Sequence, residues 1–163
     1  MRPVAVFDID GVLADVRHRL HFVERRPKDW SGFFAAADGD GLYEEGARLL
    51  RELAVDHDIR FLTGRPERLR ALTATWLARH GLPDEPLAMR PDRDRRPARM
   101  FKHDVLLRWL EEGTQIALMI DDDPAVIAVV ERLGVPALEA AWQHEPIDEQ
   151  QTLWQVQERD GRT

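Results

Sequence analysis

A three-layer α/β fold built on one parallel sheet follows from three observations on this 163-residue chain. Short apolar runs alternate with helical patterns along most of its length, and that alternation implies parallel strands with helices on both faces. Proline and glycine punctuate the helical patterns where helices start and stop. Two of the apolar runs end in clustered aspartates, at the place where α/β sheets gather ligands.

The first strand is expected at about 3–8, from Pro3-Val4-Ala5-Val6-Phe7. Further strands are expected at about 59–63, 86–89, 116–120 and 135–139, giving a sheet of about five. Helices are expected at about 43–56, 67–80, 98–112 and 124–133. The second helix takes its start from Thr63-Gly64-Arg65-Pro66-Glu67, with proline and an acidic residue in the first turn, and its stop from His80-Gly81. The fourth starts at Asp123-Pro124 and ends at Leu133-Gly134. Residues 13–42 interrupt the rhythm, with Trp30, Phe33, Phe34 and a flexible-looking Asp38-Gly39-Asp40-Gly41; they are expected to form a short helical flap rather than a separate domain. The core therefore spans 1–140, and 141–163 is a polar tail with a helix near 148–158 that could dock through Leu153, Trp154 and Val156.

At 44% hydrophobic and 33% charged residues the composition is that of an ordinary globular protein. No apolar stretch approaches the ~20 residues of a membrane helix. The first strand begins almost at once, so no signal peptide is expected, and a cytoplasmic location is the default. The absence of cysteine excludes disulfides and thiolate metal sites. A net charge of -7 argues against a protein that coats nucleic acid, yet the arginines cluster. Arg17, Arg19, Arg25 and Arg26 form one group, Arg65, Arg68 and Arg70 a second, and Arg90 to Arg99 a third. Such clusters are either solvated surface or a basic rim around an anionic substrate.

The chemistry starts from carboxylates. Asp8 and Asp10 follow the first strand and Asp121-Asp122-Asp123 follow the fourth. If the two strands are neighbours, these groups crowd one volume and repel unless a cation lies between them. Mg²⁺, a hard ion that takes oxygen ligands and keeps a place for phosphate, suits them. Asp8, Asp10, Asp121 and Asp122 are the metal-facing set, with Asp122 the preferred direct ligand and Asp121 either a step further out or paired to Lys102. Asp123, before Pro124, reads as a helix cap.

Hydrolysing a phosphate monoester needs large transition-state stabilisation, and a covalent aspartyl-phosphate divides the work. Asp8 is the candidate nucleophile and Asp10 the acid that protonates the leaving oxygen; otherwise the pair merely ends a strand and caps a helix. Thr63, with Gly64, could donate to a phosphoryl oxygen at a helix N-terminus, or simply cap that helix. Arg65 could clamp substrate phosphate. Only two of the 23 basic residues are lysines, Lys28 and Lys102. Lys102 could neutralise an aspartyl-phosphate with a compact ammonium, or be a surface lysine.

Asp8-x-Asp10, Thr63, Lys102 and Asp121-Asp122, in this order at strand ends, resemble the four motifs of the haloacid dehalogenase superfamily. The resemblance implies a Rossmann-like sheet, Mg²⁺ dependence and an aspartyl-phosphate. Asp10 favours a phosphatase, since ATPase members carry threonine there. Thr63-Gly64-Arg65, Thr75-Trp76-Leu77, Met89-Arg90, Asp94-Arg95-Arg96 and Ile120-Asp121-Asp122 are similar to the 3′-phosphatase domain of bacteriophage-type polynucleotide kinase. That likeness implies substrate roles for Arg65, Asp94 and Arg96, and for Arg19 or Arg17 after the first motif. No glycine-rich loop followed by Lys-Ser or Lys-Thr occurs. The substrate is therefore either a nucleic-acid 3′ end or a free nucleotide or other small phosphoester, with a non-catalytic phosphate-binding module the least favoured reading.

Ser31, the only serine, lacks a nucleophile-elbow context. His18 and His21 have no clustered ligands to make them a metal pair, and the flap aromatics suit packing better than base stacking.

Overall fold

The computed structural model describes residues 1–142. Strands β1 (Val4–Phe7), β4 (Asp58–Pro66), β5 (Leu87–Arg90), β6 (Ile116–Asp121) and β7 (Ala137–Glu139) form one sheet in the order β5-β4-β1-β6-β7. Every pairing is parallel, with Phe7 in register with Phe61 on one side and Ile120 on the other. β1 thus lies at the centre, and the segments after β1, β4 and β6 open at one edge of the sheet. The fold is the Rossmann-like α/β sandwich expected.

Helices α3 (Glu44–Leu53), α4 (Arg70–Arg79), α5 (Ala98–Glu111) and α6 (Pro124–Arg132) flank the sheet. One face buries Ala5, Phe7, Phe61 and Ile120 with Leu50, Trp76 and Leu77 of α3 and α4. The other buries Val4, Val6, Leu62 and Met119 with Phe101, Leu106, Val126 and Val130 of α5 and α6. Strand side chains alternate between faces, so each central strand contributes to both cores.

The flap is closed by a small antiparallel pair, β2 (Ala14–Asp15) with β3 (Gly41–Leu42). Between them lie a 3-10 turn at Arg17–Arg19, α1 (His21–Glu24), α2 (Trp30–Ala35) and a second 3-10 turn at Ala36–Gly39. Val16, Leu20, Val23, Phe33 and Phe34 make its own apolar cluster, against which Leu69 packs from outside the flap. Phe33 and Phe34 are therefore packing residues, hidden from solvent. The Asp38–Gly41 stretch, expected to be flexible, runs from the 3-10 turn into β3 with Asp40 buried.

The helix expected at 67–80 opens as a 3-10 turn. β4 runs on through Thr63, Gly64 and Arg65 to Pro66, a 3-10 turn covers Glu67–Leu69, and α4 starts at Arg70. A residue before proline is pushed from the α region toward extended backbone, so Arg65 cannot open a helix. Thr63 consequently lies inside the extended strand and caps nothing. α4 stops as expected, at Gly81 with φ +69.

The tail expected at 141–163, with its helix near 148–158, lies outside the described residues except for 141 and 142. Trp142 donates from Nε1 to the Val12 carbonyl at 3.0 Å. Among the described residues no helix is long and apolar enough to cross a membrane.

Candidate active site

Asp8 is fixed at the end of β1, its backbone N–H donating to the Ile120 carbonyl at 3.0 Å. That bond brings it beside the end of β6, where Asp121 and Asp122 follow. Oxygen atoms of Asp8, Asp121 and Asp122 lie within 4.8 Å of one another, and all three residues are buried. Lys102, on α5, reaches in from the side; its Nζ is 2.6 Å from Asp121 Oδ2 and 3.1 Å from Asp8 Oδ1. Burial, aided by Asp121 and Asp10, pushes the Asp8 carboxyl well above its usual range despite the opposing pull of Lys102. For Lys102, burial disfavours the charge, but Asp121 and Asp8 outweigh it and raise the ammonium above its ordinary value. One ammonium faces three carboxylates, and the donor set is all hard oxygen. The cluster fits a hard divalent cation.

Asp10 faces a different set of partners. Its Oδ1 accepts from Arg65 Nη2 at 2.6 Å and Nε at 3.0 Å, and from Arg19 Nη2 at 3.1 Å. Burial opposes ionisation of Asp10, but the two guanidinium groups prevail and lower its pKa. Its Oδ2 is buried and has no hydrogen-bond partner among the described residues. The side chain expected among the metal-facing set is thus turned to the arginines and lies outside the three-carboxylate cluster.

Arg19 and Arg65 are themselves fully buried. Beyond Asp10 they meet Asp40, from the flap stretch expected to be flexible, and Arg65 also donates to Thr73 Oγ1 at 3.2 Å. Arg19 lies over the Phe33 ring at 4.2 Å. Both were expected at substrate phosphate; the structure engages them with carboxylates. Thr63 is buried in β4, and its Oγ1 accepts from the Arg65 N–H at 3.1 Å.

Gly64, Asp94 and Arg96 meet around a second residue that received no role from its own chemistry, Arg90. This side chain is buried at the end of β5 and donates to the Gly64 carbonyl at 3.1 Å and the Arg96 carbonyl at 2.8 Å. Burial lowers its pKa to about 10, with Asp94 opposing and Arg96 assisting. Asp94 pairs with Arg96 at 2.9 Å, and the exposed Arg96 also bonds Asp104. Arg96 thus points to the outer face of α5. Asp123 caps α6, its Oδ1 accepting from Ala125 N–H at 2.9 Å, while burial and Asp121 raise its carboxyl to about 6.

A central parallel sheet with two acidic strand ends and a lysine between them defines a phosphatase of the haloacid dehalogenase superfamily. The chain belongs to the polynucleotide kinase PNKP phosphatase domain family, whose pattern matches residues 2–144. No curated protein matches it by sequence. Among solved structures it resembles a chain of the Pnkp1/Rnl/Hen1 RNA repair complex, with TM-score 0.69 and 22% identity over 88% of this chain and 44% of that one. It thus spans under half the length of that protein. A haloacid dehalogenase-like hydrolase from Streptococcus pneumoniae matches with TM-score 0.63 and 14% identity over 91% and 89% of the two chains. A haloacid dehalogenase family enzyme from Bacteroides thetaiotaomicron, solved with magnesium and inorganic phosphate, matches with TM-score 0.53 and 12% identity over 88% and 98%.

Proposed function

We propose that this phosphatase removes a terminal 3′-phosphate from a nucleic acid through a phosphorylated Asp8. The observation that carries the reading is the position of the Asp8 carboxylate, at the sheet edge between Lys102 and the carboxylates of Asp121 and Asp122. Asp8, Asp121 and Asp122 would hold Mg²⁺, which supplies positive charge to offset theirs and that of the phosphoryl oxygens.

An Asp8 oxygen attacks phosphorus, the bond to the 3′ oxygen breaks, and that oxygen takes a proton from Asp10. Water then attacks phosphorus, its proton passes to Asp10, the acyl-phosphate bond breaks, and Asp8 is restored as phosphate leaves. The arginines favour the ionised form of Asp10, which suits the second half. An arriving phosphate dianion works against that charge and favours the protonated form needed for the first. Asp10 Oδ2, buried and without a partner among the described residues, is the oxygen suited to this exchange. Lys102 holds Asp8 and balances charge as it transfers.

The nucleic-acid end is supported by the family and by the exposed Arg68, Arg93 and Arg95 near the ends of β4 and β5. The test is phosphate release, with and without Mg²⁺, from a 3′-phosphorylated oligonucleotide and from free nucleotides, with Asp8→Asn as control. Mg²⁺-dependent release favouring the oligonucleotide and lost in the variant is the expected result. Preference for a free nucleotide would keep the chemistry and overturn the polymer substrate.

A further inference from the structure

We infer that Arg68 distinguishes a polymer end from a free nucleotide, by binding the phosphodiester that joins the terminal nucleoside to the one before it. The inference rests on the 3′-phosphatase reading proposed above and names the residue that sets its substrate preference.

A nucleoside 3′-monophosphate and the 3′ end of a strand present the same reacting group. They differ at the 5′ oxygen, which is a hydroxyl in the nucleotide and part of an anionic phosphodiester in the strand. A residue that separates them must be a cation outside the carboxylate cluster, open to solvent and already held in place, since ordering a long side chain on binding costs affinity.

Arg68 meets each condition. It lies in the 3-10 turn after β4, the strand that pairs directly with β1. Its side chain is 46% exposed, yet it is restrained from two sides. The guanidinium carbon lies 5.3 Å from the centre of the Phe34 ring, which the flap contributes. On the other side the Arg68 backbone N–H donates to Asp92 Oδ1 at 2.9 Å, and Nη1 stands 3.6 Å from the same oxygen. At that separation the side chains form an ion pair beyond hydrogen-bond reach. An aromatic face likewise steadies a guanidinium through its charge. The N–H donors therefore stay open to a phosphate, and an exposed pair such as Arg68–Asp92 is weak enough to yield to one.

Arg68, Phe34 and Asp92 line one cleft with Pro66 and Arg95, where the flap meets the ends of β4 and β5. Arg90 and Asp94, also in its wall, pair with each other at 3.8 Å. The exposed charges left on the cleft are two arginines against Asp92. With the sheet order β5-β4-β1, the cleft leads sideways from Asp8 by up to two strand spacings, roughly 10 Å. A strand whose terminal phosphate sits at Asp8 can lay its next phosphodiester there, whereas a nucleoside 3′-monophosphate has no second anion to place. The flap thus holds, through Phe34, the arginine that selects the substrate.

The test measures kcat/KM for phosphate release by wild type and Arg68→Gln from three substrates. They are 3′-phosphorylated dithymidylate, the same dinucleotide with its linkage replaced by a neutral methylphosphonate, and thymidine 3′-monophosphate. In wild type the neutral linkage should cost about tenfold, the scale of one charge-assisted contact. In Arg68→Gln the preference for dithymidylate over the mononucleotide should fall by the same factor, and the neutral linkage should then cost less than about twofold. The slope of log kcat/KM against log salt for dithymidylate should also shrink by about 0.7, as for one lost phosphate contact on a single strand. A wild type indifferent to the neutral linkage would overturn the inference before any variant is made. So would an undiminished methylphosphonate penalty in Arg68→Gln, or an equal loss on dithymidylate and the mononucleotide. Wild type inactive on all three substrates would instead sink the 3′-phosphatase reading, and the inference with it.

Discussion

Gly11 makes room for Asp122: a Cβ on Gly11 would lie 2.0 Å from Asp122 Oδ2, and the residue's φ of +82 is one that side chains disfavour. The glycine after Asp10 therefore serves both the turn and the approach of the β6 carboxylate. Gly11→Ala is predicted to displace Asp122 and raise the Mg²⁺ concentration for half-maximal phosphate release at least about tenfold, since misplacing a reacting group costs far more than its contact energy. Magnesium titration of activity checks it; an unchanged midpoint would show that Asp122 does not need this position.

Gly46 plays the same part behind the site. A Cβ there would lie 2.1 Å from the Val12 carbonyl oxygen, a backbone atom that cannot turn aside. Alanine would gain roughly 1 kcal/mol of helix propensity in α3. Forcing α3 away from the loop that carries Asp10 should exceed that gain, with a net loss of about 1–3 kcal/mol in urea unfolding.

Lys102 is the counter-ion for two buried carboxylates. Lys102→Met is predicted to abolish phosphate release and to destabilise the fold by about 3–5 kcal/mol without metal, as expected when a buried ion pair loses one partner. On the proposed reading Mg²⁺ binds only the folded form, so adding it should recover part of that stability by mass action. Urea denaturation with and without MgCl₂ measures both.

Arg90 and Arg96 are predicted to differ although they touch. Arg90→Met removes the donor to the Gly64 carbonyl, a buried acceptor whose loss of a partner costs about 1–3 kcal/mol, and the donor to the half-buried Arg96 carbonyl. Arg96→Ala removes exposed ion pairs with Asp94 and Asp104 and should change stability by less than about 1 kcal/mol. Denaturant midpoints of the two variants decide between these outcomes.

The sheet and the pairing of Asp8 with the Asp121–Asp122 turn were legible because buried parallel strands read as short apolar runs and their ends as carboxylates. Lys102 stood out by rarity. The arginine cage was not legible, because it joins Asp10, Arg19, Asp40 and Arg65, four residues with no common spacing, held together only by tertiary packing. Asp40 sat among glycines and so read as a mobile loop; nothing local marks it as the anion on which two buried cations depend. The start of α4 was misplaced because proline was credited with opening a helix, while its effect on the preceding residue extended β4 instead.

The central claim is that Asp8 becomes phosphorylated, and trapping that species tests it most directly. Enzyme mixed with excess 3′-phosphorylated oligonucleotide and Mg²⁺ is quenched in acid, reduced with borohydride and digested for mass spectrometry. An acyl phosphate on the peptide carrying Asp8, reduced to homoserine at that position and missing without Mg²⁺, is expected. Efficient phosphate release with Asp8 unmodified at every quench time, or with full activity in Asp8→Asn, would contradict it.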